Sequence, residues 1–149
     1  FTAAEAWAWH REMIARGADR YDPRVVSRIG RGEAMSAADY IDLLHARRRW
    51  IAQVEASLAG HDALLMPTVP VVAPVLSELV ASDEAYFRAN GLILRNPTMI
   101  NFLDGCALTL PCQAPGSAPV GLTVAGPAMS DPRILAIGLA IEESLRPAP

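Results

Sequence analysis

Three short, mostly apolar runs, each stopped by a proline, limit what this chain can fold into. Ala63-Leu64-Leu65-Met66 ends at Pro67, Cys106 to Leu110 ends at Pro111, and Val120 to Ala125 ends at Gly126-Pro127. Runs of this length suit strands buried on both faces. Proline has no N–H to give to a ladder, so it closes each one. The pattern predicts three strands, the last two joined by a turn-rich connection from Cys112 to Pro119.

The rest reads as helices. Thr2 and Glu5 have capping-box spacing, and Gly17 is a stop for the helix they open. Asp22-Pro23 reads as N-cap and first residue of a short helix ending near Gly30 to Gly32. Ser36, with Asp39 three residues on, caps a helix from Ala37 to about Leu58, closed by Gly60. Tyr40, Leu43, Leu44, Trp50, Ile51, Val54 and Leu58 follow its period. Thr68 to Pro74 is expected to be extended, and Ser82 to Leu94 helical or mobile, with a break at Asn96-Pro97 because the residue before proline avoids the helical region. Ser130 or Asp131 caps a last helix, with Pro132 in its first turn. It reaches about Leu145 and turns Ile134, Leu135, Ile137, Ile141 and Leu145 inward.

Three strands among long helices point to a layered α/β architecture. Three strands make a thin sheet, and doubly buried runs want helices on both faces and more strands alongside. Part of the fold is therefore expected to lie outside this sequence. The first residues, Phe1-Thr2-Ala3, carry no initiating Met and no cleavage signal, which fits a fragment or a processed product. Mean hydropathy of +0.21 and 52% hydrophobic residues suit a globular chain, either a piece of a larger core or an oligomer.

Several function classes are disfavoured. Net charge is −3, so no basic field attracts nucleic acid, and Arg47-Arg48-Arg49 fan around a helix instead of forming a stripe. The apolar stretch from Leu64 to Leu79 is broken by Pro67, Pro70 and Pro74 and does not read as a membrane span. Cys106 and Cys112, six apart, match no zinc spacing, and a reducing cytoplasm is the expected setting. His10, His45 and His61 have no spacing to either cysteine that suggests a Cys-His dyad.

The order of the pieces carries a resemblance. DALLMPTVPVVAP, NFLDGCALTLPC, PVGLTVAGP and SDPRILAIGLAIEESL, preceded by SAADYIDLLHARRRW, resemble the closing segments of the amidase-signature hydrolases. The likeness is most secure from Asp39 to Leu145. It implies an α/β/α fold, a mixed sheet flanked by helices, incomplete here. It further implies that residues 1–149 are the C-terminal portion of such a domain, helical over 1–60 and built of strands, loops and helix over 61–149. The family hydrolyses carboxylic amides with two serines and a lysine, without metal or organic cofactor. No catalytic residue carries over: there is no lysine, and the eight serines are isolated, with no Gly/Ser-rich loop. Those elements lie upstream in the family.

What the resemblance does place is a pocket. Thr98 and Asn101, from the polar segment Arg95 to Asp104, are candidates to line it; Pro67 and Thr68, where a strand enters a loop, join them because ligand sites in open α/β sheets favour the carboxyl ends of strands. Structural roles stand beside these: Asn101 bonding nearby backbone, Thr98 capping a short helix. Tyr86, Phe87 and Leu92 are candidates to cover an entrance or to pack against a neighbour. The partners implied are the N-terminal remainder of the same enzyme, a small amide and a second copy of the chain. The alternative is a non-catalytic domain that packs on a partner in an amidotransferase-like complex. Separated from its neighbours, such a sheet would expose edges and apolar faces and self-associate.

Overall fold

The computed structural model describes residues 1–146, so the domain reading that runs to 149 ends three residues outside the described ones. Two units divide the chain, Phe1–Arg49 and the part from Trp50 onward.

The first unit holds α1 (Thr2–Gly17), a single 3-10 turn (Ala18–Arg20), α2 (Pro23–Gly30) and the start of α3 (Ala37–Leu58). Asp22 caps α2 as expected, its carboxylate accepting from the Arg24 N–H at 2.7 Å. The box at α3 also forms: the Ser36 hydroxyl accepts from the Asp39 N–H at 3.1 Å, and the Asp39 carboxylate accepts from the Ser36 N–H at 3.1 Å. The Ser36 hydroxyl donates to the same carboxylate at 2.7 Å, and these bonds hold the Asp39 carboxyl below its ordinary range. The Thr2–Glu5 box does not form. Phe1 occupies the N-cap without a side-chain cap bond, and Glu5 instead accepts from the Tyr40 hydroxyl at 3.2 Å. Burial and then the nearby Glu5 charge raise the Tyr40 pKa. Phe1 stacks on Tyr40 at 5.6 Å and carries the Arg47 guanidinium over its ring.

The second unit continues with β1 (Leu64–Pro67), α4 (Leu76–Ala81), α5 (Asp83–Leu103), β2 (Cys106–Pro111), β3 (Gly121–Gly126) and α6 (Asp131–Leu145). The strands lie in the order β1-β3-β2, both pairs antiparallel. Leu65 and Leu108 flank Val124, and Met66 and Thr109 flank Thr123. The central strand is the buried one, with Val124, Ala125 and Thr123 at 0%, 1% and 5% exposure.

Because strand side chains alternate, the two faces of the sheet differ. One face, with Leu108, Leu110 and Val124, packs under Ile134, Ile137 and Ile141 of α6. A Cβ on Gly138 would sit 2.5 Å from Leu108 Cδ2, so glycine there lets helix and strand approach closely. Leu135 and Leu145, expected inward, are 57% and 42% exposed. The face set by Ile134, Gly138 and Ile141 leaves Leu135 turned away at about 100° per residue.

The expected break at Asn96-Pro97 is absent. Helix α5 runs through Pro97, opened by Ser82, whose hydroxyl accepts from the Ala85 N–H. A proline inside a helix costs about 3 kcal/mol. Beyond it lie Ile100 and Leu103, 7% and 2% exposed. Burying each is worth about 1.5–3 kcal/mol, so packing offsets the local penalty. The helix ends where Asp104 turns left-handed, φ 61°, and the Gly105 N–H bonds to Ile100 O at 3.1 Å.

Candidate functional site

The face of the sheet opposite α6 carries the candidate site. Met66 and Thr68 at the end of β1, Ala107 and Thr109 of β2, and Thr123 of β3 line a cleft of about 220 Å³. Pro97, Ile100 and Asn101 of α5, with Gly105, form the other wall. No lining side chain is charged.

Three hydroxyls, one from each strand or its end, meet there. Thr68 Oγ1 donates to Thr109 Oγ1 at 3.2 Å, and lies 2.9 Å from Thr123 Oγ1. Thr109 and Thr123 are 3.4 Å apart. Each hydroxyl has one proton. If Thr68 gives its proton to Thr109, then Thr123 supplies the bond to Thr68, and Thr109 is left with the long contact to Thr123. At 3.4 Å that last contact is beyond ordinary O–H···O reach, so it does not hold the Thr109 proton. Gly121 makes the approach possible: a Cβ there would lie 2.5 Å from Thr68 Oγ1 and 2.6 Å from Thr109 Cγ2. The Thr68 N–H, bonded to Gly121 O at 2.8 Å, extends the β1–β3 ladder one residue and fixes where its side chain points.

Thr68 and Asn101, named from sequence, are thus brought to one cleft. Pro67 sits beside it: its carbonyl accepts from Asn96 Nδ2 at 2.7 Å, and its ring borders a neighbouring apolar hollow with Val69, Val72 and Val120. Thr98 is exposed on α5 and does not line the cleft. Sequence reasoning missed Thr109, Thr123 and Asn96. Both threonines lie within runs read as strands, and only the register Thr109↔Thr123 brings them together. Asn96, at the expected break, is 6% exposed and ties α5 to the end of β1.

A larger hollow, about 380 Å³, opens where α3 ends and α6 begins, lined by Glu55, His61, Asp62, Ser130 and Arg133 among others. Arg133 bonds to Asp62 at 2.7 Å and to His61 O at 3.1 Å, both side chains of the ion pair largely exposed. The threonine cleft, which holds Thr68 and Asn101 of the residues named from sequence, is the better candidate. Cys106 Sγ lies 3.2 Å from the Ser130 hydroxyl, and Cys112 Sγ bonds to Val120 O, so the sulfur contacts do not form a Cys-His dyad. Among the described residues no three His, Cys, Asp or Glu side chains group to hold a metal, and no helix is long and apolar enough to cross a membrane.

The family model for amidases matches residues 4–135. A 2-amino-5-chloromuconic acid deaminase of Comamonas testosteroni is 32% identical over 141 residues, covering 94% of this chain and 30% of the relative. An indoleacetamide hydrolase of Rhizobium radiobacter is 35% identical over 124 residues, 76% of this chain and 26% of its own. A component of the glutamyl-tRNA(Gln) amidotransferase of Halobacterium salinarum is 26% identical over 140 residues, 91% of this chain and 32% of its own. A crystal structure of an amidase superposes with a TM-score of 0.79 at 28% identity, over 97% of this chain and 33% of that one. The chain spans about a third of the length of the curated relatives it matches. With the family match running through most of its residues and the same fold in a solved amidase, the chain belongs to the amidase-signature family.

Proposed function

We propose that residues 1–149 are the C-terminal portion of an amidase that hydrolyses a carboxylic amide to an acid and ammonia. The part in hand supplies sheet, helices and one wall of the substrate pocket. The observation that carries this reading is the convergence of Thr68 and Asn101 on one uncharged cleft, in a chain a third as long as its family relatives. The nucleophile and its base belong upstream. A serine hydroxyl is a weak nucleophile and needs a base such as a neutral lysine, relayed through a second hydroxyl, to take its proton. This chain has no lysine. No metal or organic cofactor enters that chemistry. The free thiols of Cys106 and Cys112 support a cytoplasmic setting.

The test is ammonia release from a panel of amides by the whole gene product, with Asn101→Ala beside it. The expected result is turnover by the parent and a lower kcat/KM in a variant that still folds. A variant with reduced stability but unchanged kinetic constants in its folded fraction would remove Asn101 from the pocket.

The amidotransferase relatives favour a second reading, a non-catalytic domain packed on another chain of such a complex. A Gly/Ser-rich loop and a lysine upstream on the same gene decide for the enzyme, and their absence decides for the partner domain.

A further inference from the structure

We infer that the Thr109 hydroxyl is a specificity-determining contact, and that the cleft takes a substrate presenting an uncharged hydrogen-bonding group, an O–H or N–H. The inference rests on the amidase reading for the word substrate, but not for the binding it describes.

A hydroxyl has one proton to give and two lone pairs. Thr68 spends its proton on Thr109 and accepts from Thr123, while the 3.4 Å Thr109–Thr123 contact is beyond ordinary O–H···O reach and leaves the Thr109 proton uncommitted. Thr109 can therefore both accept from a ligand and donate to it. Thr123 is 5% exposed and closed off. Thr109 is exposed, and both its threonine contacts, at 3.2 and 3.4 Å, are long for O–H···O. It is the least committed of the three oxygens and the one a ligand reaches.

Charge narrows the class further. A carboxylate would enter a lining with no positive side chain to answer it. An ammonium brings donors, but none of the lining residues (Met66, Thr68, Ile100, Asn101, Ala107, Thr109 chief among them) supplies a counter-charge. Removing an unpaired ion from water is costly. A neutral O–H or N–H meets neither objection.

The experiment is equilibrium binding to the full-length protein of three probes of similar size: 4-hydroxyphenylacetamide, 4-methylphenylacetamide and 4-carboxyphenylacetamide. The parent should bind the hydroxyl probe best and the carboxylate probe worst. Thr109→Val keeps the β-branched shape and removes the oxygen. It should weaken the hydroxyl probe alone by about 2- to 12-fold, the range of one neutral hydrogen bond. Thr109→Ser should restore that affinity. Equal weakening of the hydroxyl and methyl probes, tight binding of the carboxylate probe, or no binding of any probe overturns the inference. Binding is read without turnover, so the expected order in a protein that releases no ammonia would sink the amidase reading and leave this one standing.

Discussion

Replacing Asn96 with alanine tests whether the candidate cleft is held by a helix that should have broken. Asn96 is 6% exposed, and its Nδ2 donates to Pro67 O at 2.7 Å while its Oδ1 accepts from Arg95 Nε at 3.1 Å. Alanine removes the tie between α5 and the end of β1. The bond itself is worth about 0.5–1.5 kcal/mol, and leaving its acceptor unanswered costs a further ~1–3 kcal/mol in a buried setting. Pro67 is exposed, so water reaches its carbonyl and the second figure falls to its low end. Arg95 is exposed too and regains water. The sum is about 1.5–2.5 kcal/mol of local stability, equivalent to about 10- to 70-fold in an opening equilibrium. Amide exchange in a peptide spanning residues 64–69 reads that opening through the Thr68 N–H, which is held on Gly121 O. Asn96→Asp should be at least as damaging, because a carboxylate cannot donate and sets a negative charge against a carbonyl oxygen. Unchanged exchange in Asn96→Ala, or parental behaviour in Asn96→Asp, would refute the role assigned to this side chain.

Gly138→Ala sets two effects against each other. The new methyl gains about 1 kcal/mol of helix propensity, and its position 2.5 Å from Leu108 Cδ2 forces repacking that costs about 1–3 kcal/mol. The loss should win, lowering the thermal midpoint, with Leu108→Ala in the same chain relieving part of it; a raised midpoint for Gly138→Ala alone would mean α6 sits farther from β2. For Asp39 the sign follows from its depressed carboxyl, held first by the Ser36 hydroxyl and then by the Ser36 N–H. Its contribution is present above the carboxyl's ordinary pKa and is lost as pH falls through the lower folded value. Ser36→Ala should move the Asp39 titration upward in a carboxyl NMR experiment, and an unmoved titration would mean the box is not formed in solution.

Much of the fold was legible because its signals are local. Ser36 with Asp39, Asp22 before Pro23, and prolines after apolar runs each act within a few residues, and each element begins or ends where they stand. The misreadings share one cause. Pro97 is locally a breaker, and Thr2 with Glu5 is locally a cap, but Ile100, Leu103 and Tyr40 supply contacts from beyond the local window that outweigh both. The site was half legible for the same reason. Thr68 and Asn101 stand at a strand end and in a polar helix segment, positions a sequence marks. Thr109 and Thr123 look like ordinary strand residues until strand pairing sets them side by side.

The pairing ties the site to the core. Thr123 and Val124 are adjacent on β3, so one faces the cleft and the other the α6 core. A one-residue slip of β3 would exchange them. Val124, fully buried, would lose about 1.5–3 kcal/mol of burial. The Thr123 hydroxyl would enter an apolar layer of Leu110, Ile134 and Ile137 with no acceptor, at about 1–3 kcal/mol more. Gly121 would leave the one position where a missing Cβ lets Thr68 and Thr109 approach. The same apolar contacts that stabilise the α6 face therefore set the register that assembles three hydroxyls on the other. Substitutions in that core which loosen register, at residues that never touch the cleft, should change what binds there.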